Sequence, residues 1–204
     1  MLAGWARKLR RLTADMTGWL KIGFTGTRSG MTIDQSNSLR RKLSSGPQGT
    51  TWTMFSEFHH GDCVGADEEA HDMMRVLLAK NWPLRVDIVI HPPKLFSFRA
   101  GCGMNDEETM GGGSVKILGA KDYLARDRDI VNATDMLIAC PAGMDDVRGV
   151  GGTWYTIRYA REKVRPILII HADGTVKAEN WAMTPGERQA RREELKEELK
   201  KAKG

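Results

Sequence analysis

Short apolar runs alternate along the chain with stretches in which apolar residues recur every three or four positions. The runs have the length and the β-branched content of buried strands, and the periodic stretches have the pattern of amphipathic helices. This alternation predicts an α/β fold with a parallel sheet that helices cover on both faces. The predicted strands are Lys21–Thr25, Thr51–His59, Leu84–Ile90, Asp135–Cys140 and Arg165–Ile170.

The first predicted helix has a clear start signal. Thr32 and Gln35 have the spacing of a capping box, in which each side chain satisfies the other residue's backbone N–H. Ile33, Leu39 and Leu43 are predicted to form its apolar face. Further helices are predicted from Ala66, from Lys121, from Trp154 and, after a second capping box at Thr184 and Glu187, to the C-terminus.

The two ends of the chain differ from this core pattern. Residues 1–20 are interpreted as an extension with an amphipathic helix, which packs on its own domain or on a partner subunit. A helix on a membrane surface and an extension without a role are the alternatives. Residues 21–180 are predicted to be one domain, and 181–204 a charged helix that is solvated or docked on a partner. The stripe of the first helix consists of Leu2, Trp5, Leu9, Leu12 and Met16.

The net charge of +5 lies at the two ends of the chain. Residues 1–20 carry four basic side chains and one acidic one, and residues 184–204 carry seven basic and five acidic ones. The segment 21–183 is therefore neutral overall. Grooves that follow a nucleic-acid backbone need clustered Lys and Arg, so the composition disfavours nucleic-acid binding by the core.

Cysteine content and hydropathy indicate the compartment. The three cysteines, Cys63, Cys102 and Cys140, are an odd number without a CxxC pair, which argues against a disulfide framework and against a structural zinc site. No apolar run approaches the ~18 residues that a membrane span requires, and the first twenty residues lack the apolar stretch of a signal peptide. We therefore expect a cytoplasmic protein.

Two glycine-bearing turns have the chemistry of phosphate sites. The first strand leads into GTRSG at residues 26–30, where glycines let backbone amides approach an anion and Arg28 offers a bidentate, charged hydrogen bond. Gly151 and Gly152 precede Thr153 at the start of the last core helix. The alternative for each turn is tight strand-to-helix packing without a ligand. No G-x-G-x-x-G and no G-x-x-x-x-G-K-[ST] motif is present, which disfavours a conventional NAD-dependent dehydrogenase and excludes a P-loop NTPase.

A cluster of polar residues follows the second strand, in HHGDCVGAD at residues 59–67. We expect it to bind the base or ribose of a ligand, or to support the loop. Its histidines and acids are conceivable metal ligands, but the spacing shows no four converging donors, and a Cys63 nucleophile paired with a histidine is a further alternative. The long glycine-rich stretch at 94–120 is predicted to be a functional or mobile loop. Arg126 and Arg128 do not share a helix face, so at most one of them points inward.

Several of these stretches, taken in order, resemble the SLOG superfamily. They are GFTGTRSGMT (23–32), HHGDCVGADEEAH (59–71), HPP (91–93), YLARDRDIVNATDMLIACPAG (123–143) and GGTWYTIRYAREKVRPILII (151–170). The superfamily includes the Lonely Guy cytokinin phosphoribohydrolases and the core of DNA-processing protein A. The resemblance is closest to its small bacterial and phage branch with an HHGD-type loop. It implies a Rossmann-like three-layer sandwich with a mostly parallel sheet of five or more strands, and a pocket for nucleotides or their derivatives.

The resemblance also suggests roles for individual residues. Residues 151–153 resemble the phosphate-binding part of the phosphoribohydrolases' PGGxGTxxE motif, but Thr156 stands where their catalytic Glu lies. Arg126 resembles their catalytic Arg, nine residues before Asp135. Hydrolysis of an N-glycoside passes through an oxocarbenium-like state that a nearby carboxylate stabilises, so another acid would have to serve. The candidates are Asp62, Asp67, Asp145 and Asp146.

These observations favour a protein that binds a nucleotide-derived small molecule as a sensor or carrier, without a cofactor. An N-glycoside hydrolase of nucleoside monophosphates that uses Arg126 is the alternative, and single-stranded DNA binding is a third. By resemblance we expect a homodimer. No metal ligand is expected. The residues expected to bind the ligand are Gly26, Thr27, Arg28, His60, Gly61, Asp62, Gly65, Asp67, Pro92, Arg126, Pro141, Gly151, Gly152 and Thr153.

Overall fold

The computed structural model describes residues 20–45, 55–80, 85–104, 113–146 and 151–201. Its strands are β1 (Leu20–Gly26), β2 (Phe55–His60), β3 (Asp87–Ile90), β4 (Val115–Ile117), β5 (Met136–Cys140), β6 (Ile167–Ile170) and β7 (Val176–Glu179). They form one sheet in the order β4-β3-β2-β1-β5-β6-β7. Neighbours pair in parallel except β6 and β7, which are antiparallel. The predicted α/β fold with a mostly parallel sheet is confirmed.

Helices cover both faces of the sheet. They are α1 (Ile33–Ser45), α2 (Ala66–Lys80), α3 (Tyr123–Ala133), α4 (Gly152–Glu162) and α5 (Pro185–Lys201), with a short 3-10 turn at Phe96–Phe98. α1 and α2 pack on one face, and α3 and α4 pack on the other, which makes a Rossmann-like three-layer sandwich. None of the helices in the described ranges is long and apolar enough to cross a membrane. The amphipathic helix predicted at residues 2–16 lies outside the described residues.

Strand β5, the neighbour of the central strand β1, is apolar at every position because it is buried on both faces of the sheet. Met136 and Ile138 belong to the core cluster beneath α1 and α2, whereas Leu137 and Ala139 belong to the cluster beneath α3 and α4. A strand of a parallel sheet is buried on both faces, so it cannot alternate apolar with polar residues. Each fully buried Leu or Ile contributes about 1.5–3 kcal/mol.

The capping box at the start of α1 is confirmed. The Thr32 N–H donates to Gln35 Oε1 at 3.1 Å, and the Gln35 N–H donates to Thr32 Oγ1 at 3.0 Å. The predicted burial of Ile33 is wrong, because its side chain is 80% exposed. Leu39 and Leu43 are buried as predicted, and the position one turn before Leu39 belongs to Gln35. Ile33 lies on a different side of the helix from this stripe.

Two strands were not predicted from the sequence. β4 lies within the stretch 94–120, which was interpreted as a loop, and β7 follows a turn after β6. β4 has only three residues and an exposed end, and β7 is mostly exposed on the outside of the sheet. Neither segment therefore carries the apolar run that identifies a buried strand.

The C-terminal helix α5 has the predicted character. The Glu187 N–H donates to Thr184 Oγ1 at 3.2 Å and the Thr184 N–H donates to Glu187 Oε2 at 2.6 Å, which confirms the second capping box. Along the helix, exposed ion pairs join residues three apart, such as Lys196 with Glu193. Exposed pairs of this kind contribute little to stability.

A close approach between β1 and α3 depends on Gly23. A Cβ at this position would lie 2.8 Å from Thr134 Oγ1 and 3.0 Å from Ile130 Cγ2. Thr134 cannot turn aside freely, because its hydroxyl donates to the Ile130 carbonyl oxygen at 2.7 Å. Tyr123 and Arg126 belong to the same helix, so the distance of α3 from the sheet also affects their position.

Replacing Gly23 by Ala is expected to lower the free energy of unfolding by about 1–3 kcal/mol, because the added methyl group overpacks the contact between β1 and α3. Urea unfolding measures this change. Gly119→Ala is the matched control, since a Cβ at Gly119 meets nothing within 4 Å, and we expect it to stay within about 0.5 kcal/mol of the parent protein. Equal stability of the two variants would contradict the packing account.

Candidate ligand-binding cleft

The sheet reverses its direction of growth between β1 and β5. From β1 the chain builds β2, β3 and β4 outward on one side, and it then returns to place β5 on the other side of β1. The carboxyl ends of β1 and β5 lie side by side, since Gly26 pairs with Cys140. A crevice forms outside the strand ends at such a switch point, and open α/β sheets bind their ligands there.

A cavity of about 350 Å³ opens at this crevice. Its volume lies within the range of small-molecule sites. It brings the two glycine-bearing turns together, although they are more than 120 residues apart in the chain. The lining residues are Gly26, Thr27, Arg28, Ser29, Tyr123, Ala142, Gly143, Asp145, Gly151, Gly152, Thr153 and Trp154.

The turn after β1 uses most of its amides internally. The Thr27 N–H donates to the Cys140 carbonyl oxygen at 3.1 Å, and the Gly30 N–H donates to the Thr27 carbonyl oxygen at 3.3 Å. The Ser29 N–H donates to Thr27 Oγ1 at 3.3 Å. These three amides are therefore not available to an anion, which differs from the predicted cradle of backbone N–H groups. The turn offers instead the guanidinium of Arg28. The hydroxyls of Thr27 and Ser29 are hydrogen-bonded to each other at 2.9 Å, so only one of their two hydrogens can point to a ligand.

At the start of α4, by contrast, the first backbone amides are not engaged by any residue that the structure describes. The helix begins at Gly152, two residues earlier than predicted, and its N-cap residue Gly151 has a φ of 79° and no side-chain hydrogen bond to the helix. The first amides of a helix have no partner within the helix, and its N-terminus attracts anions. Among the described residues, the hydroxyl of Thr153 has no hydrogen-bond partner either, although Thr153 is only 8% exposed and lines the cavity. Several donors thus converge on the cavity from this helix.

Only a glycine fits at position 152, because the side chain of Tyr123 occupies the space that a Cβ would need. A Cβ at Gly152 would lie 1.9 Å from Tyr123 Oη. Tyr123 stands at the start of α3, and its ring packs over the Arg126 guanidinium with a centroid distance of 5.0 Å. The tyrosine therefore fills the space between the starts of α3 and α4 and forms one wall of the cavity.

A second cavity of about 230 Å³ lies next to the first and shares Arg28 and Tyr123 with it. Its walls are mainly apolar side chains of the segment after β3, and lysines stand at its rim. The Arg28 guanidinium lies over the Phe98 ring, 4.4 Å from its centroid. The lining residues are Arg28, Pro93, Lys94, Leu95, Phe98, Lys121, Asp122 and Tyr123.

The HHGD loop after β2 is buried beneath the cleft. His60, Asp62 and Asp67 are all buried, and neither cavity formed by the described residues is lined by them. The Asp62 carboxylate accepts hydrogen bonds from Arg99 Nε at 2.9 Å and from the Cys102 N–H at 2.8 Å. The polar atoms that the sequence suggested for a base or ribose are therefore already engaged within the protein.

This loop supports the turn that carries Arg28. A Cβ at Gly65, which has a φ of +89°, would lie 2.4 Å from the Arg28 carbonyl oxygen, so only glycine fits there. The Ala66 N–H donates to the Thr27 carbonyl oxygen at 3.0 Å, and Glu69 Oε2 accepts the Met31 N–H at 2.8 Å. Of the two roles expected for the loop, this geometry fits the supporting one.

Four histidines form two buried pairs on opposite faces of β2. His59 Nδ1 lies 2.9 Å from His91 Nε2, and His59 Nε2 lies 2.8 Å from Glu57 Oε2. Since the Glu57 carboxylate only accepts, His59 donates from Nε2, and its Nδ1 accepts from His91. Burial, together with the neighbouring His59, lowers the pKa of His91 to about 4. Burial also lowers the pKa values of His59 and His60.

The second pair belongs to a possible metal-binding group. Donor atoms of His60, His71 and Cys102 lie within 4.8 Å of one another, the only such group of three in the described part of the chain. The Asp62 N–H donates to His60 Nδ1 at 3.3 Å, so the hydrogen of His60 is on Nε2, which lies 3.0 Å from His71 Nδ1. A metal would have to displace this hydrogen. The arrangement therefore fits a neutral histidine pair better than a metal centre.

Arg126 is buried beneath Tyr123 and does not line either cavity of the described residues. Its guanidinium pairs with Asp127 at 2.8 Å and donates to the Gly61 carbonyl oxygen at 2.5 Å and to Cys63 Sγ at 3.0 Å. Burial opposes its charge, but the carboxylates of Asp127 and Asp67 hold the pKa of Arg126 above its usual value. It thus holds the HHGD loop against α3. Arg128 is exposed, as expected for one of the two arginines.

The candidate carboxylates differ in their access to the cleft. Asp62 and Asp67 are buried, and burial raises the pKa of Asp67 to about 6 against the opposing effect of Arg126. Asp146 is paired with Arg158 and Arg161. Asp145 alone among the four lines the larger cavity. Thr156, which stands at the position of the family's glutamate, is buried and donates to the Gly152 carbonyl oxygen at 2.9 Å.

Other predicted ligand residues lie behind the cleft, and several lining residues were missed. Pro92 and Pro141 are buried, and the Pro141 carbonyl oxygen accepts from Gln35 Nε2 at 2.8 Å. Tyr123 stands three positions before Arg126 on the same helix, so both lie on one helix face. This spacing was the sequence signal that could have placed Tyr123 at the cleft. The other missed lining residues are Ser29, Pro93, Lys94, Leu95, Phe98, Lys121, Asp122, Ala142, Gly143 and Trp154.

Comparison of the chain with protein-family models, with curated proteins and with solved structures gives no match. The SLOG resemblance therefore stays a prediction from the motifs.

The buried histidine pairs predict a loss of stability in acid. The unfolded chain binds a proton at each histidine near pH 6.5, whereas folded His91 binds one only near pH 4. The free energy of unfolding therefore falls as the pH drops from 6.5 to 4, by at most about 3 kcal/mol from His91. His91→Gln keeps a donor for His59 but does not titrate, so its free energy of unfolding should change less over this range.

Urea unfolding of both proteins at several pH values measures the difference. Asp67 contributes with the opposite sign between its usual pKa and about 6, because its folded form retains the proton. That contribution is common to both proteins and cancels in the comparison. Parallel pH profiles of the parent protein and His91→Gln would refute the role of the histidine pair.

Proposed function

We propose that this protein binds a nucleotide-derived small molecule in the cleft at the carboxyl ends of β1 and β5, as a sensor or carrier. The proposal rests above all on the start of α4. There, backbone amides without a partner in the helix and the hydroxyl of the largely buried Thr153 line the same cavity as the guanidinium of Arg28.

A phosphate group matches these donors best. The helix N-terminus supplies N–H groups and a favourable partial charge, and Arg28 supplies a positive charge at the same cavity. The turn after β1 adds one hydroxyl hydrogen of the Thr27–Ser29 pair. A planar or apolar ligand without an anionic group would leave these donors without partners, which is costly in a partly buried site.

The choice of a nucleotide over other phosphates has two supports. The larger cavity adjoins a second, mainly apolar one, so the cleft has room for more than a phosphate and a sugar. The resemblance to the SLOG superfamily points to the same ligand class. A binding role is preferred to a catalytic one because Thr156 occupies the position of the family's glutamate and is buried in α4.

Arg28→Gln is expected to weaken the binding of a nucleoside monophosphate by about 10- to 100-fold, because it removes a charged hydrogen bond to phosphate. Thr153→Val removes one hydroxyl with little change of shape and is expected to weaken binding by about 3- to 10-fold. A thermal-shift screen of nucleoside monophosphates, cyclic nucleotides, ADP-ribose and NAD identifies the ligand, and calorimetry then gives the affinities.

Arg40→Gln is the matched control for Arg28→Gln. Arg40 is an exposed arginine of α1 that lies outside both cavities of the described residues. Its replacement removes the same charge from the protein but not from the cleft, so the affinity should stay within about 2-fold. If no nucleotide on the panel binds, or if both arginine variants lose affinity equally, the proposed site is wrong.

An N-glycoside hydrolase is the second candidate, and one observation favours it. Asp145 lines the same cavity as Arg28 and Thr153, so a carboxylate is present where a bound sugar phosphate would lie. Such a carboxylate can stabilise an oxocarbenium-like state. Arg126, the arginine expected to act in this reaction, is buried in an ion pair with Asp127, so its replacement would unpair a buried charge at a cost of about 3–5 kcal/mol.

Asp145→Asn therefore tests hydrolysis without disturbing the core. If the protein is a hydrolase, it releases free base from a nucleoside monophosphate, and Asp145→Asn should lower the rate by at least about 100-fold while the nucleotide still binds. Chromatography of the reaction products measures the free base. Asp146→Asn is the matched neighbour, since Asp146 pairs with Arg158 and does not line the cavity. Intact nucleotide after incubation with the parent protein leaves binding as the function.

A further inference from the structure

The second cavity has the chemistry of a base-binding site. Pro93, Leu95 and Phe98 form its apolar wall on the segment that follows β3, and Tyr123 also lines it. A planar ring buried between such groups is stabilised by stacking on an aromatic side chain. The remaining lining residues of this cavity are polar.

Leu95 and Phe98 are also unusual for surface residues. Leu95 is an apolar side chain but is 62% exposed. Phe98 is half-buried, and the Arg28 guanidinium lies over its ring. The segment is held in place from both sides. The Val64 N–H donates to the Phe98 carbonyl oxygen at 3.0 Å, and the Lys94 N–H donates to the Lys121 carbonyl oxygen at 3.0 Å. The apolar wall is therefore fixed before a ligand arrives.

The two cavities meet at Arg28 and Tyr123, which line both. A ligand with its phosphate at the start of α4 reaches the second cavity only past these two residues. Arg28 stacks on Phe98 at this junction, so its guanidinium turns toward the phosphate when a base takes its place on the ring. A group that links a phosphate to a planar ring, as ribose does in a nucleotide, fits the passage.

Burial argues against the alternative position for the base, beside the HHGD loop. His60, Asp62 and Asp67 have no access to the cavities of the described residues, and the Asp62 carboxylate is occupied by Arg99 and Cys102. A base beside the HHGD loop would have to displace these hydrogen bonds.

We propose that the ligand is a nucleoside 5′-phosphate whose base stacks in the second cavity, against Leu95 and Phe98, while its phosphate lies at the start of α4. This inference rests on the proposed function and adds to it the orientation of the ligand and the segment that selects the base. The segment Pro93–Phe98 then determines the preference among bases, and the α4 end recognises any sugar phosphate.

Calorimetry with adenosine 5′-monophosphate and ribose 5-phosphate separates the two ends of the ligand. The parent protein should bind the nucleotide at least about 10-fold more tightly than the sugar phosphate, which is the stacking contribution. Leu95→Ala and Phe98→Ala should reduce this ratio to about 3-fold or less. Leu95→Ala should leave the affinity for ribose 5-phosphate unchanged, since Leu95 lines only the second cavity.

Phe96→Ala is the matched control. Phe96 is 76% exposed, belongs to the same 3-10 turn and lies outside both cavities of the described residues, so its replacement should keep the parent ratio. Equal affinities of the parent protein for both ligands, or a ratio that survives Leu95→Ala and Phe98→Ala, overturn the base site but leave the phosphate site standing. If neither ligand binds and no nucleotide of the wider panel binds either, both the base site and the proposed function are wrong.

Discussion

Five residues of β1 pair in parallel with β5, from Ile22 with Met136 to Gly26 with Cys140, and this pairing fixes where a ligand can bind. It aligns the carboxyl ends of two strands that are far apart in the sequence. The two glycine-bearing turns follow those ends and therefore face each other across one cavity. The last hydrogen bond of the ladder, from the Thr27 N–H to the Cys140 carbonyl oxygen, continues into the turn and holds Arg28 at the rim.

The polar residues beneath the cleft make this geometry rigid. Arg126 joins α3 to the HHGD loop, Asp62 joins the loop to the segment after β3, and Gly65 lets the loop contact the Arg28 turn directly. Buried polar groups of this kind stabilise only when all of them have partners, and removal of one partner is costly. The network thus positions both walls of the cleft without contacting a ligand itself.

Much of this fold follows from local rules, and the capping box at Thr32 and Gln35 illustrates why. Its two hydrogen bonds involve residues three positions apart, so the sequence alone specifies them. The role of His60 and Asp62 could not be predicted in the same way, because polar residues after a buried strand suit a ligand site and a buried network equally well. Arg99 and Cys102 donate hydrogen bonds to the Asp62 carboxylate, but they stand about forty residues later, in a stretch without a strand pattern. Phe98 was missed for the same reason.

The central claim is that a nucleotide phosphate binds at the start of α4, across the cavity from Arg28. A crystal structure of the protein with adenosine 5′-monophosphate tests it most directly. The account predicts phosphate oxygens within hydrogen-bond distance of the Gly152 and Thr153 amides, with the Arg28 guanidinium turned toward them. A nucleotide bound elsewhere, for example on the arginines of α5, with an empty crevice between β1 and β5, would contradict it.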